Sequence, residues 1–234
     1  MRRSQQKEMM DFPCISTELL EEDLANLRTI NRYLGGYRSV VRGLERLVDE
    51  HKMNHFSLLD VGTGSGDIPV QIAKWARNNG INAELVALEA EAVTVIAAVQ
   101  QTRSFPEISV MRGDGIAPPF GAASFDFVLA SQLLHHFPED KIVELLSSWS
   151  KIARKAIIVS DLVRHPVAYY GIRTLTQLLT RNVMTLTDAP LSVERAFTIA
   201  EWRELFRRAD VGSFEIFPMF PFRVMALVSL KGST

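Results

Sequence analysis

Cysteine is nearly absent from this sequence, which contains only Cys14 in 234 residues. A single cysteine excludes an intrachain disulfide and a cysteine-rich zinc cluster, and this fits a reducing compartment. Long apolar runs are missing as well, and no apolar stretch follows the charged N-terminus. The sequence therefore shows neither a membrane span nor a signal peptide, and we expect a soluble cytoplasmic protein without stable membrane insertion.

An excess of charge of either sign is also missing. Lys and Arg number 26, Asp and Glu number 27, and the net charge is −1. Because the two signs are interspersed, no strong field would draw the chain to nucleic acid or to an anionic membrane. Apolar residues are abundant at 47%, enough for one large core in a chain of this length. We therefore expect a single domain over residues 1–234 and no nucleic-acid partner.

Two helices are expected before the first strand. Leucines at helical spacing from Leu20 to Leu34 predict the first helix, which Gly35-Gly36 interrupts. A second apolar stripe runs from Val40 to Val48. Because both helices precede the first strand, residues 1–52 are expected to form a helical cover.

From residue 56 onward, short apolar runs alternate with helical stretches. Continuously apolar runs are typical of buried parallel strands, and their alternation with helices predicts right-handed βαβ units in an α/β, doubly wound sheet. The expected strands are 56–61, 84–88, 108–111, 125–130 and 156–159, and the helices between them are 68–78, 92–101 and 139–151.

The last third of the chain departs from this rhythm. Residues 161–197 form an amphipathic insert, which we expect to be a helical lid, and Thr198 with Glu201 predicts a capping box for another helix. Two strand-like runs around residues 218–221 predict an antiparallel hairpin. The chain thus divides into a cover at 1–52, a cofactor-binding core at 53–160, the lid at 161–197, and a last helix and hairpin at 198–234.

A glycine loop, Asp60-Val61-Gly62-Thr63-Gly64-Ser65-Gly66-Asp67, follows the first expected strand. Glycines allow a ligand to lie directly against the backbone. Dinucleotide-binding proteins use G-x-G-x-x-G, whose last position is Asp67 here. A carboxylate there would face a pyrophosphate, whereas the ammonium and sulfonium groups of S-adenosylmethionine tolerate negative charge. The loop therefore favours that cofactor, although Asp67 could instead serve only as a helix N-cap.

Acidic residues end the next two expected strands. Glu89 could hold both ribose hydroxyls through its two carboxylate oxygens, unless Glu91 takes that role. Asp114, followed by Gly115, ends the third strand, where a side-chain oxygen could accept from the adenine amine. The alternatives are a solvated charge for Glu89 and a simple turn for Asp114.

The segment Asp60 to Gly66 resembles the D-x-G-x-G-x-G motif of class I S-adenosylmethionine-dependent methyltransferases. Gly113-Asp114, Pro119-Phe120 and Ser124-Phe125-Asp126 resemble the G-D-x-x-x-L-P-F-x-x-x-S-F-D segment of that family, with Pro118 in place of leucine. The resemblance covers residues 56–160. It implies a Rossmann-like sheet of seven strands, an antiparallel last strand, and a cofactor lying across the ends of strands one, two and four.

Together, the helical cover and the motifs resemble bacterial small-molecule methyltransferases of the ubiquinone-biosynthesis and secondary-metabolite type. S-adenosylmethionine would then be the cofactor and S-adenosylhomocysteine its product. The expected cofactor-binding residues are Asp60, Gly62, Thr63, Gly64, Gly66, Asp67, Glu89, Asp114, Gly115 and Ser131.

Two adjacent histidines follow the fourth strand, at the sheet edge where open α/β folds bind ligands. The run from His135 to Asp140 resembles the H-D-W-S-D-E stretch of plant-type O-methyltransferases, whose first histidine is the general base. The match assigns the base to His135 and places His136 at the aspartate position. Histidine suits a phenolic proton because its ordinary pKa is about 6.5, and methyl transfer requires no metal. The alternative is a packed or helix-capping histidine pair.

Other residues could complete the acceptor site. Asp161 follows strand five and could orient a base, Tyr169 and Tyr170 could line an apolar pocket, and Arg195 near Asp188 could fix the insert.

We expect O-methylation of a phenolic or polyketide-like small molecule. The alternatives are C- or N-methylation of a quinone precursor or lipid, and a methyltransferase-like module that only binds. Base methylation of nucleic acid is disfavoured, since residues 130–133 lack an Asn or Asp followed by Pro-Pro and an aromatic residue. A homodimer is compatible with the sequence.

Overall fold

The computed structural model describes residues 1–12 and 16–231, so Cys14 lies outside the described residues. The strands are β1 His55–Val61, β2 Asn82–Glu89, β3 Ile108–Arg112, β4 Phe125–Ser131, β5 Ala153–Leu162, β6 Gly212–Met219 and β7 Arg223–Leu230. The helices are α1 Thr17–Tyr33, α2 Gly36–Glu50, α3 Asp67–Asn78, α4 Ala92–Thr102, α5 Glu139–Ile152, α6 Pro166–Leu179, α7 Val183–Arg195 and α8 Ile199–Ala209. Two short 3-10 helices lie at Met9–Asp11 and Leu134–His136.

All seven strands form one sheet in the order β3-β2-β1-β4-β5-β7-β6. The first five strands pair in parallel, whereas β7 runs antiparallel to both β5 and β6. The expected α/β, doubly wound sheet with an antiparallel last strand is therefore confirmed. In the register, Val61 at the end of β1 lies opposite Leu88 of β2 and Ala130 of β4. The residues that follow these three strands therefore lie at one edge, where the strand order reverses and open sheets bind ligands.

Both faces of the sheet are covered because its central strands are apolar on both sides. Leu59 and Val128 pack with α5 and α8, including Trp149 of α5, while Leu58 and Phe127 face α2 and α3. This arrangement explains why the strands read as continuous apolar runs rather than alternating ones.

The expected cover at residues 1–52 is divided between two places. α2 packs on β5 and β7, where a Cβ added to Gly43 would lie 3.1 Å from Met225 Sδ. Only α1 and residues 1–12 extend over the strand ends, and α1 contacts α7 of the insert there. The sequence did not distinguish the two helices because an apolar stripe shows that a helix face is buried, but not what buries it.

The insert forms two helices. Pro166 occupies the first turn of α6, and the side chain of Asn182 accepts from Thr185 N at the start of α7. The predicted capping box at Thr198 and Glu201 is confirmed at the start of α8. Within residues 1–12 and 16–231, no helix has the length and apolarity needed to cross a membrane.

Candidate functional site

A cavity of about 710 Å³ opens at the carboxyl ends of the central strands. The glycine loop and the turn after β4 form one side of it, and α1, α6, α7 and the N-terminal residues form the other. Its apolar wall includes Leu24, Leu27, Ile172 and Leu175. The sheet edge and the helical layer thus enclose a space large enough for a nucleoside-sized ligand and a second small molecule.

The three glycines of the loop have positive φ, at +69° for Gly62, +58° for Gly64 and +73° for Gly66. Gly62 and Gly66 are closely packed. A Cβ added to Gly62 would lie 2.8 Å from Leu133 Cδ1, and one added to Gly66 would lie 2.9 Å from Thr102 Cγ2. At Gly64 an added Cβ would meet nothing within 4 Å, and this residue lines the cavity. The loop therefore presents bare backbone to a ligand at Gly64.

Asp60 lies buried beneath this loop and accepts a hydrogen bond from Thr63 Oγ1 at 2.6 Å. Burial, with a smaller contribution from the nearby carboxylates of Asp67 and Glu89, raises the pKa of Asp60 to about 7, although the hydrogen bond from Thr63 lowers it. A cation bound in the cavity would relieve this accumulation of negative charge.

Glu89 connects the end of β2 to the loop. Its Oε2 accepts from Gly64 N at 2.9 Å, and its Oε1 accepts from the backbone N–H groups of Ala90 and Glu91 at 2.9 and 3.2 Å. Burial raises the pKa of the Glu89 carboxyl, although these bonds oppose the shift. Glu91 also lines the cavity, but its side chain is exposed, so Glu89 is the more firmly positioned of the two ribose candidates.

Asp67 is the first residue of α3, and Gly66 occupies the N-cap position. The Asp67 carboxylate accepts from Ser65 Oγ at 3.2 Å and from Asn31 Nδ2 at 3.3 Å. Asn31 Oδ1 in turn accepts from Gln132 Nε2 at 2.6 Å and from Arg223 Nη2 at 3.2 Å. Asn31 thus joins α1 to the loop, the β4 turn and β7.

Sequence reasoning missed Asn31, Gln132 and Arg223. Asn31 left a signal, since it interrupts the apolar stripe of α1 four residues after Leu27. Arg223 is buried, its Nη1 has no hydrogen-bond partner among the described residues, and burial lowers its pKa to about 10. Ser131 lines the cavity, and its Oγ also has no hydrogen-bond partner within the part of the chain that the structure describes.

Asp114 and Gly115 do not line the cavity. The Asp114 side chain is exposed and accepts from Ile116 N at 2.8 Å, closing its own turn. Gly115 accepts from Trp149 Nε1 at 2.9 Å through its carbonyl, and an added Cβ would lie 2.5 Å from Val61 Cγ1. These two residues therefore lie outside the lining of the cavity, and their cofactor roles stay predictions.

His135 is buried beside the cavity. Its Nδ1 lies 2.7 Å from Asp161 Oδ1, and its backbone N donates to Asp161 Oδ2 at 3.3 Å. Burial alone would raise the pKa of Asp161, but the facing His135 lowers it below its ordinary value. With a proton on Nδ1 for this bond, the Nε2 atom of His135 becomes the proton acceptor.

His136 stacks on His135 with ring centroids 4.4 Å apart and planes inclined by 33°. Its Nδ1 lies 2.9 Å from Asp11 Oδ1. Glu8, His135 and His136 each place one potential ligand atom within 4.8 Å of the others. Both Nε2 atoms approach the Glu8 carboxylate, with His135 Nε2 at 3.6 Å from Oε1 and His136 Nε2 at 3.8 Å from Oε2. A metal-free reaction stays a prediction.

Glu8 completes this cluster from the N-terminal segment, residues 1–12. Its Oε2 accepts from Ser192 Oγ at 2.9 Å, while its Oε1 has no hydrogen-bond partner among residues 1–12 and 16–231. Burial raises the pKa of Glu8 to about 7. No sequence pattern indicated Glu8, because its partners lie far along the chain.

The insert anchors this segment. Asp188 accepts from Met9 N at 2.8 Å and from Met10 N at 3.1 Å, and Arg195 pairs with Asp11. The sequence predicts that Arg195 and Asp188 fix the insert; instead, each of them binds the N-terminal segment, Asp188 at Met9 and Met10 and Arg195 at Asp11. Tyr169 and Tyr170 do not line the cavity, because the helical phase of α6 turns Ile172 and Leu175 toward it instead.

Residues 58–156 match a family model described as a methyltransferase domain. Nocamycin O-methyltransferase of Saccharothrix syringae is 36% identical over 103 residues, which are 44% of this chain and 36% of that relative. The chain thus matches about a third of the length of that curated relative. The family match ends at residue 156, before Asp161 and the insert.

Two solved structures are similar in fold. Human N-acetylserotonin methyltransferase, in complex with SAM (S-adenosylmethionine), is 19% identical with a TM-score of 0.65, covering 93% of this chain and 57% of that chain. A SAM-dependent methyltransferase from Aquifex aeolicus is 13% identical with a TM-score of 0.64, covering 93% of this chain and 100% of that chain.

Proposed function

We propose that this chain, whose residues 58–156 match a methyltransferase-domain model, transfers the methyl group of S-adenosylmethionine to an oxygen atom of a small phenolic or polyketide-like acceptor. The observation that carries this proposal is the buried pair of His135 and Asp161 at the cavity wall, with Nδ1 bonded to the carboxylate at 2.7 Å. An O-methyltransferase among the relatives agrees with it.

The residues at the cavity fit the cofactor. S-adenosylmethionine supplies a methyl group activated by a sulfonium. A cation bound beside Asp60 would stabilise its carboxylate, whose pKa burial and the nearby Asp67 and Glu89 raise. Glu89 lies where a carboxylate can hold ribose hydroxyls, and Gly64 leaves bare backbone. Ser131 Oγ and Arg223 Nη1 offer unpaired polar atoms for the amino-acid end.

The remaining cavity suits a compact apolar acceptor. Leucine and isoleucine side chains of α1 and α6 form its wall, and they would exclude water from the reacting oxygen. Asp161 holds His135 so that Nε2 can accept the acceptor's proton while the oxygen attacks the methyl carbon. We propose that α1, α6 and α7 act as a lid over both ligands.

Replacement of the base tests this proposal. His135→Ala should lower the turnover of a neutral phenol by about 10²- to 10⁴-fold, the usual contribution of general-base catalysis. An acceptor that is already ionised, such as a nitrophenol, should lose much less because no proton has to be removed. His55→Ala, at the exposed start of β1, is the matched control.

Calorimetric titration with S-adenosylhomocysteine separates binding from catalysis. We expect wild type and His135→Ala to bind it equally. Absence of binding in the wild type would refute the enzymatic proposal as a whole. Equal loss of turnover for the neutral and the ionised acceptor would remove His135 from the role of base.

A further inference from the structure

Two buried proton acceptors face each other at the acceptor end of the cavity. His135 Nε2 and Glu8 Oε1 are 3.6 Å apart, too far for a good hydrogen bond between them. Both residues line the cavity and are almost fully buried, with 2% of His135 and 1% of Glu8 exposed. Glu8 Oε1 has no hydrogen-bond partner among the described residues, and a buried acceptor without a donor is costly, so native proteins seldom leave one unpaired.

The groups around Glu8 do not supply the missing donor. Arg195 Nε lies 3.6 Å from Glu8 Oε1, beyond hydrogen-bond distance, and its Nη1 pairs with Asp11. His136 Nε2 lies 3.8 Å from the other oxygen, which already accepts from Ser192. Glu8 Oε1 therefore faces His135 with its hydrogen-bonding capacity unused.

The placement of Glu8 is fixed by contacts on both sides of it. Ser4 N donates to Glu194 O at 3.0 Å, and Arg3 Nη2 donates to the carbonyls of His135 and Phe137, each at 2.9 Å. Beyond Glu8, the N–H groups of Met9 and Met10 donate to Asp188. A carboxylate oxygen held this firmly without a donor, as Glu8 Oε1 is, is an expected feature of a binding site that a ligand completes.

We infer that the methyl acceptor presents two hydrogen-bond donors on neighbouring atoms, as an aromatic ring with two adjacent hydroxyl groups does. One hydroxyl would donate to His135 Nε2 and the other to Glu8 Oε1, each at about 2.8 Å. This inference rests on the proposed O-methyl transfer and adds the chemical class of the acceptor.

The roles of the two hydroxyls differ. The hydroxyl on His135 gives its proton to Nε2 as its oxygen bonds to the methyl carbon and the bond from that carbon to sulfur breaks, so that the methyl ether and S-adenosylhomocysteine are formed. The hydroxyl on Glu8 keeps its proton and fixes the ring. Glu8 therefore selects which of the two oxygens is methylated.

A matched acceptor pair tests the inference. Wild type should methylate 2,3-dihydroxynaphthalene with a kcat/KM roughly tenfold to hundredfold higher than that for 2-naphthol, the range expected for a hydrogen bond to a charged group. Glu8→Leu, which has a similar size and no acceptor oxygen, should bring the ratio of the two kcat/KM values close to one. Glu21→Leu, exposed on α1, is the control.

Binding measurements keep the inference testable without turnover. Protein loaded with S-adenosylhomocysteine should bind the diol more tightly than 2-naphthol, and Glu8→Leu and Glu8→Gln should remove most of the difference. Equal affinities in wild type, or a diol preference that survives both substitutions, would overturn the inference. Loss of methyl transfer in EDTA with recovery on adding Mg²⁺ or Zn²⁺ would also overturn it, because the cluster would then bind a metal.

The outcomes separate the two proposals. A diol preference in binding without any methylated oxygen would contradict the proposed O-methyl transfer and leave the two-donor site standing. Methylation of both phenols at equal rates would contradict the two-donor site alone.

Discussion

Asp161→Asn is expected to weaken the base without misplacing it. In the wild type, Asp161 Oδ1 accepts two hydrogen bonds, one from Leu162 N and one from His135 Nδ1, each at 2.7 Å. An asparagine amide would place its oxygen there, because this orientation keeps the two bonds of 2.7 Å and gives up only the bond of 3.3 Å from His135 N. His135 should then keep its proton on Nδ1, and Nε2 should remain the acceptor.

The magnitude follows from the charge that the substitution removes. A charge-assisted hydrogen bond is worth about 1.5–3 kcal/mol, and a loss of about 1.4 kcal/mol lowers a rate tenfold. Once His135 has taken a proton, the neutral amide stabilises it less than the carboxylate did. We therefore expect turnover of a neutral phenol to fall by about 10- to 100-fold.

Kinetics with two acceptors measure this effect. An ionised nitrophenol should keep nearly all of its turnover in Asp161→Asn, and Asp49→Asn, exposed on α2, should match wild type with both acceptors. Asp161→Ala should be more damaging, since it removes the oxygen that orients the ring. The reasoning is refuted if Asp161→Asn slows the two acceptors equally, or if the neutral phenol is not slowed at all.

Three further predictions concern the cofactor side and the N-terminal segment. Because burial raises the pKa of Asp60 to about 7, a bound cation should favour its ionised form. The affinity for S-adenosylmethionine should then rise with pH by up to about tenfold per unit below pH 7 and level off above it, with proton release seen by calorimetry in buffers of different ionisation enthalpy. The rise should be smaller for S-adenosylhomocysteine, which lacks the sulfonium charge, and equal rises would contradict the assignment. Gly64→Ala should reduce S-adenosylhomocysteine affinity at least about tenfold while costing only about 1–2 kcal/mol of folding stability, the usual left-handed strain. Gly80→Ala is its control, because Gly80 also has positive φ and open space but lies away from the cavity, and equal affinity losses would argue against contact at Gly64. Arg195→Ala leaves Asp11 and Glu8 without their buried cation and should lower the free energy of unfolding in urea by about 3 kcal/mol. The exposed Arg203→Ala should have little effect, and a loss of similar size there would show that the buried pairing does not matter.

The sheet and the glycine loop could be predicted because their causes are local. Each buried strand is a short apolar run, and the loop between β1 and α3 requires glycines at positive φ within five residues, from Gly62 to Gly66. The position of His135 after β4 followed from the same order of elements. Sequence reasoning reached these features because neighbouring residues determine them.

The rest of the site depends on residues far apart in the chain. Glu8 meets His135 across 127 residues of sequence, and Arg223 reaches Asn31 across 192. A single sequence contains no signal that pairs such distant residues. At most, a polar residue in an apolar stripe, such as Asn31, indicates that a buried partner exists. Asp114 shows the opposite difficulty: it stands in a motif position, but its carboxylate bonds to its own turn at Ile116, a local bond that competes with any ligand.

The two halves of the cavity come from different parts of the chain. Asp60, Gly64, Glu89 and Ser131 lie inside the matched range 58–156, whereas Glu8, Asp161, α1 and α6 lie outside it. Under the proposed function, the matched range would bind the sulfonium cofactor and the segments outside it would bind the acceptor, so each half could change without the other. Substitutions at Glu8 or Leu175 should therefore alter which acceptor is used and leave S-adenosylhomocysteine affinity intact. The reverse pattern, with cofactor binding lost and acceptor preference kept, would contradict this division.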